Sequence, residues 1–149
     1  MASGKPEILK ILIDSDVSFD FISGRLPFYH DALRIFTLAE NNIISLYTLP
    51  HLMINIWQIR GHMGISSAEM NKSISRFLNL VNVLDEPSTS FIKAVQAKRI
   101  DLEDSAVIEC AIHHKMDAII TRNIKHYKLS PIKVYLPGEL LGKLDYLDS

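Results

Sequence analysis

Short apolar runs alternate with longer amphipathic segments along this chain, and this alternation restricts the possible fold more than any other feature. Each run is short, is rich in isoleucine, valine or leucine and stops sharply at polar residues, as buried strands do. The intervening segments carry apolar residues at the i, i+3, i+4 spacing of amphipathic helices. The pattern predicts an α/β fold, a three-layer α/β/α sandwich with a mostly parallel central sheet of four or five strands. The predicted strands are 8–13, 43–46, 81–84, 118–121 and 132–135.

Proline, glycine and capping residues set the expected helix limits. Pro27 and Pro50 suit helix starts, and Ser66 with Glu69 forms a possible capping box. A strand end at Asp14 and a glycine at position 24 leave room for one short helix between them. The predicted helices are 17–23, 28–41, 50–59, 66–80, 88–98, 101–115 and a last short helix that starts at 137.

Composition and charge narrow the class of protein. The 149 residues are 48% hydrophobic and 22% charged, which predicts one globular domain over 1–149 with a flexible entry at 1–7. The formal net charge of −1 gives no global attraction for nucleic acid, so a local basic patch or bound cations would have to hold such a partner. The lone Cys110 excludes an internal disulfide and fits a reducing cytoplasm. No secretory signal is recognised and no apolar run approaches the ~18 residues of a membrane span, so we expect a soluble cytoplasmic protein with no membrane partner.

The polar residues that end two predicted strands are the first candidates for chemistry. Asp14 and Asp16 come after the strand 8–13, and Asn123 comes after the strand 118–121. Ligands of α/β proteins bind outside the carboxyl ends of parallel strands, where these three side chains are expected. Each also has a purely structural explanation. Asp14 and Asp16 suit a turn, with Asp16 capping the next helix, and Asn123 suits the cap of a short helix near 125–127.

Two further polar residues lie on otherwise apolar helix faces. Asp104 shares its face with Ile108 and Ala111, and Asn55 shares its face with Ile56. Buried polar groups are costly without a partner, so a hard cation shared with the strand-end residues would explain both. The alternative for Asp104 is a favourable interaction with the dipole at the helix N-terminus.

Other titratable residues are expected to lie outside the site. Asp117 precedes the strand 118–121, and a strand of four residues spans about 13 Å, so this residue is predicted to lie in a turn at the opposite edge. The adjacent His113 and His114 face different directions on a helix, and the other four histidines are scattered. A zinc site is therefore not predicted.

Six segments, in order, resemble the motifs of one family, the PIN domains, and together they cover nearly the whole chain. ILIDSDV at 11–17 resembles the opening strand with its Asp-Thr-Asn-Val signature, and DAIITRN at 117–123 resembles the Asp-x-Ile-Ile-Thr-Arg-Asn strand end. Each motif is weak by itself, whereas the ordered set is fairly specific. The other four are GRLPF at 24–28, NIW at 55–57, DLEDSA at 101–106 and PGELL at 137–141.

The resemblance implies a metal-dependent ribonuclease whose carboxylates bind Mg²⁺ or Mn²⁺. Asp14 matches the first acid of the family and Asp104 the third, so both are expected to be metal ligands and catalytic. Asn55 and Asn123 stand where the second and fourth acids often are. Asp16 is acidic where the signature usually has asparagine, and it is the fifth expected ligand. Because asparagine offers an uncharged oxygen, the site should bind metal more weakly than one with four acids.

Three basic residues are candidate contacts for the RNA phosphates: Arg122, Lys125 and Arg25. Solvated surface charge explains each of them equally well. Many PIN domains are toxins of toxin–antitoxin pairs, so the resemblance implies RNA, an antitoxin protein and a second copy of the chain as partners. The helices 49–59 and 66–80 are the expected contact surfaces. A binding or regulatory protein with a degraded site on the same fold is the alternative, and Asn55 and Asn123 motivate it.

Overall fold

A computed structural model of the protein describes residues 8–148, with side chains described as far as Asp145. The predicted flexible entry at 1–7 lies outside the described residues. The prediction of one domain over 1–149 stays a prediction.

The sheet has five strands in the order β3-β2-β1-β4-β5, and every neighbouring pair is parallel. This confirms the predicted α/β class and decides the number of strands. The two edge strands are short and partly exposed, with Val83 of β3 at 51% exposure. The strands are β1 (Leu9–Ile13), β2 (Ile44–Thr48), β3 (Asn82–Val83), β4 (Ala118–Ile120) and β5 (Lys133–Tyr135).

The described residues form seven α-helices, and the arrangement is the predicted three-layer α/β/α sandwich. The helices are α1 (Ser15–Ser23), α2 (Tyr29–Glu40), α3 (Pro50–Ile59), α4 (Ser67–Phe77), α5 (Ser88–Gln96), α6 (Leu102–His113) and α7 (Pro137–Asp148). Two short 3-10 helices, Arg60–Met63 and Ile124–Tyr127, follow α3 and β4. None of the helices formed by residues 8–148 combines the length and the apolar character that a membrane crossing needs.

The core lies on both faces of the central strand. Ile11, Leu12 and Ile13 of β1 have no exposed surface, and all three residues of β4 are buried as well. A parallel strand covered by helices on both faces must be apolar at consecutive positions, which explains why the run lacks the alternation of a half-exposed strand.

Helix limits follow from local capping more closely than from the apolar pattern. Helix α1 starts at Ser15, two residues before the prediction, because the Asp14 side chain caps it. Helix α5 ends at Gln96 rather than at 98, since Lys98 takes a left-handed conformation with φ of 53°. Helix α4 ends at Phe77 rather than at 80, whereas its predicted N-cap is confirmed, because the Ser66 hydroxyl accepts the N–H of Glu69. The last helix, α7, has 12 residues and is longer than the short helix predicted.

The strand order places one crevice at the carboxyl edge of the sheet. Strand β1 pairs with β2 on one side and with β4 on the other, so the direction of the chain's progress across the sheet reverses at β1. Ligands in such sheets bind at this reversal, outside the carboxyl ends of the strands. Asp14 follows β1 there, and Thr121 follows β4. Asp117 lies at the opposite edge, where its carboxylate accepts the N–H of Lys10 at 2.8 Å, as its predicted turn position requires.

Candidate functional site: an acidic pocket at the carboxyl edge of the sheet

A pocket of about 220 Å³ opens at the crevice, and acidic residues dominate its lining. It brings Asp14, Asp16, Asp104 and Asn123 together, four of the five residues predicted as ligands. Five carboxylates contribute to it in total. Its lining residues are Asp14, Ser15, Asp16, Asp101, Glu103, Asp104, Asn123 and His126. We call this the acidic pocket.

Asp14 is buried at the base of the site and is held from three sides. Its Oδ1 atom accepts the backbone N–H of Ser15 at 2.8 Å, so the side chain caps α1. Its Oδ2 atom accepts hydrogen bonds from the hydroxyls of Thr121 and Tyr127, both at 2.9 Å. The cap predicted for Asp16 from the sequence therefore belongs to Asp14, and it occupies only one of the two carboxylate oxygens.

Tyr127 connects the two principal acids. Its hydroxyl oxygen also lies 3.2 Å from Oδ1 of Asp104, and the ring is buried. Burial and the two neighbouring carboxylates raise the pKa of the Tyr127 phenol well above its usual range, so the group stays protonated and donates its proton toward the two carboxylates. Asp14 and Asp104 are thereby kept next to each other, although 90 residues of chain separate them.

Asp104 stands in the first turn of α6 and faces the same pocket. Asp101 caps this helix, since its Oδ1 atom accepts the N–H of Asp104 at 2.9 Å. Oδ2 of Asp104 lies 2.8 Å from Nδ1 of His126. Burial and the Asp14 carboxylate raise the pKa of Asp104 to about 6. The inward orientation predicted from the apolar stripe of this helix is what the structure shows.

Asp16 is half-buried and is held mainly by backbone donors. It accepts the N–H of Val17 at 2.7 Å and the N–H of Arg122 at 2.9 Å. Burial, followed by repulsion from Asp14, raises the pKa of Asp16 to about 6. Asp16 therefore joins the ends of β1 and β4 and adds to the negative charge of the pocket.

Asn55 reaches the site through another residue. Its amide nitrogen donates a 2.6 Å hydrogen bond to Oε1 of Glu103, and Asn55 is not among the residues that line the pocket. The pKa of Glu103 is raised, chiefly by partial burial, with a further contribution from Asp14. A carboxylate from α6 thus stands beside the asparagine at the position where the family often has an acid.

The basic residues predicted to contact phosphate differ in their surroundings. Arg122 is engaged by the buried Asp20 carboxylate, with Nε at 2.7 Å and Nη2 at 3.2 Å, and its guanidinium lies 3.8 Å from the centre of the Phe28 ring. Arg25 is exposed, and its guanidinium lies 5.6 Å from the centre of the same Phe28 ring. Lys125 is exposed next to the pocket residue His126.

Sequence reasoning missed Asp101, Glu103, His126 and Tyr127 as members of the site. Asp101 and Glu103 stand at a helix start, where the helix dipole by itself favours acidic residues, and the histidines show no ligand spacing. One usable signal was present. Asn123 and His126 are three residues apart in a segment predicted to form a short helical turn. Side chains at this spacing lie on the same face of the turn, so His126 is expected beside Asn123. The other contacts depend on how α6 is placed against β1.

The chemistry of the donor set fits a hard divalent cation. Carboxylate and amide oxygens are the ligands that Mg²⁺ and Mn²⁺ prefer. Burial, followed by repulsion from Asp14, raises the pKa values of Asp16 and Asp104, and a bound cation would relieve the repulsion. The residues whose side-chain oxygens could hold such an ion are Asp14, Asp16, Asp101, Glu103, Asp104 and Asn123.

Fold and site together define an α/β protein with an acidic, cation-attracting pocket at the reversal point of a parallel sheet. The family model described as the PIN domain matches residues 10–125. The chain therefore belongs to the PIN-domain family. A search of the curated proteins found no match.

Solved structures with the same fold include components of toxin–antitoxin systems. VapBC2 from Rickettsia felis, bound to a DNA fragment from its promoter, gives a TM-score of 0.64 at 14% identity, covering 86% of this chain and 98% of that chain. A toxin–antitoxin complex from Klebsiella pneumoniae gives 0.64 at 18% identity, covering 85% and 97%. VapC20 from Mycobacterium tuberculosis, a toxin that cleaves the sarcin-ricin loop, gives 0.58 at 11% identity, covering 73% and 86%. At these identities the likeness concerns the fold.

Proposed function

We propose that this protein is a metal-dependent endoribonuclease and the toxin of a type II toxin–antitoxin system. One observation carries the proposal: five carboxylates from two distant segments of the chain, 14–16 and 101–104, line a single pocket at the carboxyl edge of the sheet. Placing several negative charges close together destabilises the folded protein. A divalent ion that binds both these carboxylates and a phosphate group is the simplest explanation for the arrangement. Membership of the PIN-domain family and the toxin folds described above support the same class.

Asp14 and Asp104 would hold the ion, since both are buried and share the hydroxyl of Tyr127. Asp16 and Glu103 add charge that Asn55 and Asn123 do not supply. A divalent ion in this pocket would supply a reactive water at neutral pH and neutralise charge on the phosphate. In the hydrolysis the water oxygen bonds to phosphorus, the bond from phosphorus to the leaving ribose oxygen breaks, and that oxygen takes up a proton.

Lys125, Arg25 and Arg122 are the proposed contacts for the RNA backbone. Lys125 and Arg25 are exposed and free to approach phosphates. The guanidinium of Arg122 is engaged with Asp20, so its contribution is to position α1 and the end of β4, with a phosphate contact limited to the part of the group that faces solvent. Electrostatic contacts of this kind bind RNA without reading its sequence.

The first test combines calorimetry with Mn²⁺ or Mg²⁺ and an RNA-cleavage assay on the same purified samples. We expect binding and cleavage in the wild type and the loss of both in Asp14→Asn and Asp104→Asn. Asp117→Asn is the matched control, because Asp117 is an exposed carboxylate at the opposite edge and asparagine keeps its acceptor for Lys10. A wild type that neither binds metal nor cleaves RNA would support a binding or regulatory role, for which Asn55 and Asn123 are the motivating residues.

A second copy of the chain and an antitoxin are the proposed protein partners. Exposed apolar side chains on and after α3 support the contact surface expected from the sequence: Ile54 is 55% exposed and Met63 is 47% exposed. Isolated apolar residues are common on surfaces, so the test is direct. Sedimentation velocity should show a dimer that Ile54→Glu converts to monomer, whereas Phe91→Glu, a change of the same kind on α5, should leave it intact. A wild-type monomer at all concentrations would exclude the homodimer.

A further inference from the structure

His126 brings an imidazole nitrogen to the mouth of the acidic pocket. Its Nδ1 atom lies 2.8 Å from Oδ2 of Asp104 and 2.7 Å from the side-chain amide nitrogen of Asn123. The residue is held in the short helix Ile124–Tyr127, whose last member is the buried Tyr127. The position of the ring is therefore tied to the same hydroxyl that joins Asp14 and Asp104.

The hydrogen bonds around this nitrogen cannot all be satisfied as they stand. If Nδ1 carries a proton it can donate to Asp104, but it then faces the N–H groups of Asn123. If Nδ1 is bare it can accept from Asn123, but its lone pair then faces the carboxylate of Asp104. Turning the Asn123 amide exchanges its oxygen and nitrogen, and a protonated Nδ1 can then donate to both Asp104 and Asn123. With Nδ1 bare, the same three atoms are all acceptors that face one point, which is the arrangement that a cation requires.

The spacing of the donor atoms suits a metal ion. One atom each from Asp101, Asp104 and His126 lies within 4.8 Å of the others. Metal–ligand distances of about 2.1 Å place neighbouring ligand atoms about 3 Å apart and opposite ones about 4.2 Å apart. Asp101 keeps lone pairs free for such a contact, since a carboxylate has about four acceptor sites and the helix cap takes one of them.

We propose that the His126 imidazole, together with Asp101, is a further direct ligand of the ion held by Asp14 and Asp104, and that it makes the pocket select a first-row transition metal over Mg²⁺. This inference rests on the proposed function. Mg²⁺ takes oxygen ligands almost exclusively, whereas imidazole binds transition metals well. Asn55 and Asn123 supply no negative charge, and the imidazole nitrogen compensates for this as an additional ligand. Because nitrogen is a softer donor than a carboxylate oxygen, it changes the choice of metal as well as the affinity.

The test measures metal choice and the ligand atom separately from catalysis. Calorimetry with Mn²⁺ and with Mg²⁺ gives the ratio of the two dissociation constants. Electron spin echo envelope modulation of the Mn²⁺-loaded protein detects a coordinated ¹⁴N nucleus. We expect a Mn²⁺ preference of at least about tenfold, which is 1.4 kcal/mol, and a clear ¹⁴N imidazole signal.

His126→Asp replaces the nitrogen with oxygen at the same place, and His62→Gln is the control at an exposed histidine outside the pocket. We expect His126→Asp to lose the ¹⁴N signal and to reduce the Mn²⁺ preference at least fivefold, with His62→Gln unchanged; thermal unfolding checks that both variants fold. Wild-type protein that binds Mn²⁺ with no ¹⁴N signal would overturn the inference, leaving His126 as a hydrogen-bond partner of Asp104 and the proposed function intact. Absence of any metal binding would overturn both.

Discussion

The hydroxyl group of Tyr127 donates a hydrogen bond to Oδ2 of Asp14 at 2.9 Å, in the interior of the protein. The two residues are 113 positions apart in the chain, so this contact joins the start of the sheet to the segment after its fourth strand. The same hydroxyl reaches Asp104 at 3.2 Å. It thereby sets how far apart the two principal acids stand.

Tyr127→Phe removes this hydroxyl and keeps the ring. We expect the free energy of unfolding to fall by about 1–2 kcal/mol in metal-free protein, because a buried carboxylate oxygen loses one of its two side-chain donors. Urea unfolding followed by circular dichroism measures it. Tyr29→Phe, a half-buried tyrosine of α2, is the comparison, with an expected change under about 0.5 kcal/mol. Equal changes in the two variants would contradict a stabilising hydrogen bond from the Tyr127 hydroxyl to Asp14.

Arg122 and Lys125 are both predicted RNA contacts, yet the structure separates their effects on stability. Arg122→Ala leaves the buried carboxylate of Asp20 without its partner, and we expect a loss of about 3 kcal/mol. Lys125→Ala changes an exposed side chain and should cost less than about 0.5 kcal/mol. Lys125→Ala should instead weaken RNA binding and lower the slope of log affinity against log salt by about one. Urea unfolding and filter binding at several salt concentrations give the two quantities, and a reversed order of stabilities would contradict the assignment.

The metal-free protein should lose stability as pH rises between about 4 and 6. Asp16 and Asp104 have pKa values of about 6, above their ordinary 3.8, so in this window the folded protein holds protons that the unfolded chain has released. The free energy of unfolding then decreases with pH, and this contribution levels off above about pH 7. A shift of about two pKa units corresponds to about 3 kcal/mol for a fully buried group, and screening by solvent at the open pocket reduces the expected contribution of each carboxyl to about 1–2 kcal/mol.

Urea unfolding in chelator at pH 4.5 and pH 7 measures this dependence. Other groups titrate in the same range, so the informative quantity is the difference between wild type and Asp16→Asn. Asparagine keeps an acceptor for the N–H of Arg122 and removes the charge. A pH slope that is the same in both proteins would show that Asp16 does not titrate as described.

Restoring an acid at position 123 should strengthen cation binding. Asn123→Asp adds a carboxylate to a pocket lined by five, and we expect Mg²⁺ affinity measured by calorimetry to increase about tenfold. Asn79→Asp is the control, since Asn79 is exposed and lines a different cavity. An equal gain in both variants would indicate a general charge effect in place of direct coordination.

Much of this molecule follows from local sequence information. The apolar run before Asp14 can be recognised as a strand because a strand that is buried on both faces is apolar at consecutive positions. Ser66 can be recognised as a cap because its contact with Glu69 lies within one helical turn. Asp14 and Asp104 could be selected because one ends a strand and the other interrupts an apolar helix face. These signals depend on neighbours in the chain, and the parallel order of the strands follows from the alternation with helices.

Tertiary structure decided what the site is made of. Glu103 stands beside Asn55, and His126 stands beside Asp104, through contacts between residues 48 and 22 positions apart. Arg122 became a partner of Asp20 by the same long-range packing. Periodicity reports which way a side chain faces on its own helix or strand, but it carries no information on which other segment that face meets. The packing of α6 and the segment 121–127 against the end of β1 therefore determined the composition of the acidic pocket, and with it the expected choice of metal.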